Sequence, residues 1–164
     1  MRHAVAVPPG TPGYLRDAQR PLTEEGLRQA ERVARGLQRL GVVFDAVATS
    51  GLVRAVQTAT RVARVYGWRE PFDELDALTP EADPAMTSLA LKAFKGRAQV
   101  LLVGHEPHLS AWLGLLIGGP AGARCQMKKA AVACVEIEHA PPTAGSGVLK
   151  WLLPPKPLSL IGKT

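Results

Sequence analysis

Apolar side chains at Leu27, Ala30, Val33, Leu37 and Leu40 recur every three or four positions, the spacing that lines one face of an α-helix. Thr23 stands where an N-cap belongs, Glu24 and Glu25 place negative charge at the positive end of the helix dipole, and Gly41 suits the residue just past the close. Ala46 to Thr49 is a short apolar run that reads as a buried strand. Ser50 is placed to cap a second helix, from Leu52 to Tyr66, with Val56, Ala59, Val62 and Ala63 inward and Gly67 at its end. Phe72 to Leu75 suggests a short strand. Asp83 and Pro84 read as the N-cap and first residue of a helix carrying Met86, Leu89, Ala93 and Phe94.

Gln99 to Val103 is continuously apolar, as a parallel strand covered by helices on both faces should be. Gly104 ends it, Pro107 permits a helix over Leu109 to Ile117, and Gly118, Gly119 and Pro120 break that helix. From Ala131 to Glu138 the period changes to two, with Ala133, Val135 and Ile137 opposite Glu136 and Glu138. After the loop Pro141 to Gly147, Val148 to Leu153 completes an antiparallel hairpin. Strands alternating with helices and then a hairpin predict a three-layer α/β/α sandwich. Its central sheet is mixed but mostly parallel, with the hairpin at the C-terminal end.

At 164 residues the chain is expected to form one domain over residues 1–164. With 46% hydrophobic and 21% charged residues and no low-complexity tract, it excludes disordered and fibrous classes. The net charge of +6 implies a surface or cleft that attracts anions. Cys125 and Cys134 match neither a redox pair nor a zinc knuckle and read as small buried residues of a reduced, cytoplasmic protein. The apolar runs Val100 to Val103 and Leu109 to Ile117 are far shorter than the ~18 residues that span a bilayer, and the opening stretch is too short for a signal peptide.

In an open α/β sheet, ligands bind beyond the carboxyl ends of the strands. Arg2 and His3, Arg54 just after the Ala46 to Thr49 strand, and His105 just after the Gln99 to Val103 strand all fall at that edge. Two guanidinium groups and two imidazoles gathered there call for an anion between them. A phosphoryl group answers, because arginine forks pair with its oxygens and imidazole is a competent nucleophile.

Arg2-His3-Ala4, Arg20-Pro21-Leu22-Thr23 with Gly26, the block Thr49 to Ala59 containing Arg54-Ala55-Val56-Gln57-Thr58, and Gly104-His105-Glu106-Pro107 together resemble the histidine phosphatase superfamily. They are similar, more narrowly, to its small phosphohistidine phosphatase (SixA type) branch, as are Leu78-Thr79-Pro80 and Trp151 to Pro154. The resemblance implies a phosphoglycerate mutase-like fold and a metal-independent phosphatase without cofactor, acting on a phosphohistidine-bearing protein of a phosphorelay or phosphotransfer system. It makes His3 the catalytic nucleophile, with Arg2, Arg54 and His105 gripping the phosphoryl oxygens. Arg20 and Glu81 are implied near the substrate, and Glu81, Asp83 and Glu106 are the candidate proton donors. Alternative readings are a phosphatase of a small phosphorylated metabolite or nucleotide, or an inactive phosphate- or nucleic-acid-binding domain. An aromatic content of 5% disfavours nucleic acid.

The family places an apolar strand before the Arg-His pair, and here only Met1 precedes it. The expectation is a truncated first strand, with either a natural start upstream or His3 on a frayed terminus. His108 and His139 read as surface residues. His105, Glu106 and His108 lack the spacing of a zinc site. Lys128 and Lys129 read as a solvated strand edge.

Overall fold

A computed structural model describes residues 1–163. Strand β1 (Ala46–Thr49) lies between β2 (Asp73–Glu74) and β3 (Val100–Val103), all parallel, with Ala46 opposite Val100 and Thr49 opposite Val103. Strands β4 (Val132–Glu136) and β5 (Val148–Leu153) form the antiparallel hairpin, with a register shift between Cys134 and Val135. The helices are α1 (Glu24–Arg39), α2 (Val53–Tyr66), α3 (Pro84–Ala90), α4 (His108–Gly118) and α5 (Pro155–Ile161).

Successive side chains of a strand leave opposite faces, and the two cores follow that rule. Val47, Leu101 and Val103 pack with Val33 and Leu37 of α1, Ala59 and Val62 of α2, and Leu158 of α5. Ala46 and Ala48 pack on the other side with Leu91, Phe94, and Leu109, Trp112 and Leu116 of α4. The result is the predicted sandwich, α1, α2 and α5 on one face, α3 and α4 on the other.

Residues 1–3 join the two groups of strands. On one side the Met1 amino group donates to Leu102 O at 2.7 Å, Gly104 N donates to Met1 O, and His3 N donates to Gly104 O. On the other side Arg2 N donates to Ala131 O and Ala130 N to His3 O, each at 3.0 Å. Met1 is 6% exposed and His3 7%. The alternative of a frayed terminus at His3 is therefore not what the structure shows, because backbone bonds hold the segment along both edges. Its burial pushes the Met1 amino group down to about 5.

Two local expectations need correction. Helix α2 starts at Val53 with Leu52 in the N-cap position, and Ser50 does not cap it. In α3 the buried residues are Thr87 and Ser88, while Met86 and Leu89 are exposed. These polar side chains face inward because buried groups of α4 need partners: Thr87 Oγ1 meets His108 Nε2 at 2.8 Å, and Trp112 Nε1 donates to Ser88 Oγ at 3.0 Å. Among the described residues, no helix is long and apolar enough to cross a membrane.

Candidate active site

His3 extends the segment beside β3, His105 lies two residues past β3, and Arg54 is the second residue of α2 after β1. Neighbouring parallel strands end together, so the three side chains meet at one edge. The His3 and His105 ring centroids are 5.0 Å apart at 48°. All are buried, Arg54 to 3% exposure and His105 to 1%.

His3 Nδ1 lies 2.7 Å from Ala4 O. A carbonyl only accepts, so Nδ1 carries the proton and donates, leaving the Nε2 lone pair unengaged. Burial pushes His3 down to about 4, aided by the charges of Arg54, Arg2 and Lys129 and opposed by the bond to Ala4. The ring is neutral at pH 7. Ala4 N donates to Thr58 Oγ1, which donates to Arg54 O, so one threonine ties the backbone after His3 to the turn of α2 that carries Arg54.

His105 Nε2 lies 2.6 Å from Ser50 Oγ, and its Nδ1 is buried without a partner. Burial lowers His105 to about 3, with His3 and Arg54 adding to the effect. The direction of this bond follows the ring tautomer: a hydroxyl that donates to Nε2 leaves the ring proton on Nδ1. Arg2 NH1 donates to Met127 O at 2.8 Å. Arg54 donates through NH1 to Asp17 O and through NH2 to Asp17 Oδ2, both at 2.8 Å. Arg2 Nε, Arg54 Nε and His105 Nδ1 are buried and unpaired, and among the described residues only Trp68 Nε1 shares that condition. Buried N–H groups without acceptors are costly, so the two guanidinium Nε–H groups gathered around the His105 ring suit an anion.

Arg20 is spent locally: Nε donates to Asp17 Oδ1 at 2.8 Å and NH1 to Val7 O at 2.5 Å. Glu81 is exposed, with its carboxylate acting on Arg54, and Glu106 acts similarly on Arg2 while accepting from Ser110 N. The Asp83 carboxylate caps α3 through Ala85 N. His108 is 2% exposed, contrary to the surface position expected, with Nδ1 donating to Ala82 O and Nε2 on Thr87. His139 is exposed as expected, Lys128 and Lys129 are exposed just before β4 rather than on a strand, and both cysteines are half-buried.

The sequence reading missed Ser50, Thr58 and Asp17. Asp17, three residues before Arg20 in an exposed polar stretch, shows no local signal of its contact with α2. Two bonded cations pull its carboxyl down: burial raises it, and the hydrogen bond from Arg20 and the charge of Arg54 more than reverse that.

A layered α/β/α fold whose strand ends gather two buried histidines and unpaired guanidinium donors is suited to holding an oxyanion. The comparisons agree: residues 1–80 match the model of the histidine phosphatase superfamily (branch 1). The chain belongs to the histidine phosphatase superfamily, in its SixA-type branch. It is 32% identical over 134 residues, 80% of this chain and 79% of the other, to an uncharacterized protein of Picosynechococcus sp. (strain ATCC 27264 / PCC 7002 / PR-6). It is 28% identical over 141 residues to the phosphohistidine phosphatase SixA of Escherichia coli (strain K12), covering 85% of this chain and 84% of that one. The structure of the protein histidine phosphatase SixA complexed with tungstate superposes with a TM-score of 0.83 at 28% identity, covering 96% of both chains.

Proposed function

We infer that this phosphatase hydrolyses phosphohistidine, carried by a protein of a phosphorelay or phosphotransfer system, through a covalent phosphohistidine intermediate on His3. The observation that carries the reading is the state of His3: a buried neutral ring with Nδ1–H tied to Ala4 O and a free Nε2, 5.0 Å from the His105 ring. The match to a SixA structure that holds tungstate, a tetrahedral oxyanion, supports the same reading.

In the first step the Nε2 lone pair attacks phosphorus, the substrate's P–N bond breaks, and the leaving imidazole takes up a proton. Arg2, Arg54 and the Nδ1–H of His105 receive the charge on the equatorial oxygens, and groups fixed before the reaction starts stabilise it most effectively. In the second step water attacks the phosphorus of phospho-His3, releasing inorganic phosphate and restoring the neutral ring. Glu81, whose charge acts on Arg54, and Glu106, whose charge acts on Arg2, are the candidate carboxylates for proton transfer. Asp83 is committed to its cap. An imidazole is expelled more readily than an alkoxide, so phosphohistidine places a lighter demand on the proton donor than a sugar phosphate does. The two guanidinium groups supply the positive charge, and turnover should be insensitive to chelators.

Incubation with a 32P-labelled phosphohistidine protein tests the reading. Acid-labile, base-stable label is expected on His3 and absent from His3→Ala. Label that persists in His3→Ala would exclude the nucleophile, and faster turnover of small phosphate monoesters than of phosphohistidine would exclude the substrate class.

A further inference from the structure

The Asp17 turn decides which edge of Arg54 faces the phosphoryl group. A guanidinium group has five N–H donors, arranged as an end-on fork between NH1 and NH2 and a lateral fork between Nε and NH2. In this structure the end-on fork is occupied: NH1 donates to Asp17 O and NH2 to Asp17 Oδ2, both at 2.8 Å. Nε is buried and unpaired. The lateral edge alone keeps an unused donor pair.

The turn is braced. Arg20 N donates to Asp17 O at 3.2 Å, and the Arg20 side chain holds the other carboxylate oxygen, Oδ1, through Nε at 2.8 Å while gripping Val7 O. Val7 N in turn donates to Pro21 O, so the turn is fastened to the chain that follows His3. The side chain of Asp17 is 57% exposed, whereas those of Arg20 and Arg54 are 12% and 3% exposed. An exposed carboxylate thus reaches inward to fix a buried cation. Arg20 and Arg54 together hold it ionised, which removes it from the list of proton donors.

We propose that Asp17 is a positioning residue that locks Arg54 with its lateral edge toward the phosphoryl group, and that Arg20 serves the reaction by holding Asp17 rather than by binding substrate. The proposal rests on the site reading above. Without Asp17 the guanidinium is free to turn, and its bidentate grip on the transferring phosphoryl group is lost for part of the time. The ground state, held also by Arg2 and His105, suffers less.

The test compares Asp17→Ala, Asp17→Asn and Arg54→Ala on a phosphohistidine peptide, with binding of inorganic phosphate followed by 31P NMR. Asp17→Ala should lower kcat about tenfold, the scale of one charge-assisted hydrogen bond, with KM changed less than threefold. Asp17→Asn keeps the backbone oxygen but only one side-chain oxygen, enough for Arg54 or for the Arg20 brace and not for both, and should fall between wild type and Asp17→Ala, while Arg54→Ala should lose about a hundredfold or more. Wild-type kcat in Asp17→Ala beside an inactive Arg54→Ala would overturn the proposal and leave the site reading intact. Full activity in Arg54→Ala would instead bring down the site reading itself.

Discussion

The Ser50 hydroxyl meets His105 Nε2 at 2.6 Å inside the protein, and when the hydroxyl donates, the ring proton sits on Nδ1. With Nε2 as acceptor, Nδ1–H is left as an unpaired donor at the anion site. Ser50→Ala removes the hydroxyl and frees Nε2 to take the proton, turning Nδ1 into an acceptor that repels phosphate. Loss of this buried bond should cost about 1–3 kcal/mol in urea unfolding and lower kcat about tenfold or more. Unchanged kcat in a folded Ser50→Ala protein would show that the tautomer is set by something else.

Arg54→Lys keeps a positive charge but has no fork. A lysine cannot both answer Asp17 and present two parallel donors to a phosphoryl group. Steady-state kinetics should show kcat reduced about a hundredfold, comparable to loss of a preorganised transition-state donor. A reduction under threefold would mean that charge alone suffices at this position.

The buried histidines predict a pH dependence of folding. His3 and His105 are pushed below their ordinary 6.5, to about 4 and about 3, so the unfolded chain binds more protons than the folded one between those values and 6.5. Stability should therefore fall as pH is lowered through that window. Down to about pH 5 the carboxylates stay ionised, and the slope belongs to the histidines, including His108, and to the Met1 amino group, all of which burial lowers. Urea midpoints at pH 7, 6 and 5 should drop steadily, with a shallower drop in His105→Gln. Parallel slopes for the two proteins would contradict the burial of a neutral His105.

Gly26 sits where α1 passes the chain following His3. A Cβ there would lie 1.9 Å from the Val5 carbonyl oxygen, whose partner Thr23 N donates at 3.0 Å. Backbone cannot yield as a side-chain tip does, so Gly26→Ala must displace either the helix or residues 4–6. Thermal unfolding should register about 1–3 kcal/mol of destabilisation, and kcat should fall with it because His3 is two residues from Val5. Wild-type stability would show that the helix shifts freely.

Much of this was legible in the sequence because it follows from periodicity and end signals. The Leu27 to Leu37 stripe, the Thr23 cap and the apolar runs of β1 and β3 gave the layers, and parallel strand ends then gathered Arg2, His3, Arg54 and His105. What escaped was polar and long-range. Ser50 looks like a helix cap because local sequence offers that use, yet its hydroxyl serves a residue 55 positions away. Thr87 and Ser88 were passed over for Met86 and Leu89 because an apolar pattern carries no notice of the demands of His108 and Trp112. Asp17 lies in an irregular stretch without periodicity, where only tertiary contact gives a side chain its meaning.

The pinning of residues 1–3 between Gly104 and Ala130–Ala131 has a mechanical consequence. His3 lies on the seam that stitches the hairpin to the parallel strands, so a fluctuation that opens the seam dismantles the candidate site and parts the two halves of the molecule in one motion. Amide hydrogens of Arg2, His3 and Ala130 should accordingly exchange only as slowly as the whole molecule unfolds, making chemical competence and global integrity a single cooperative property.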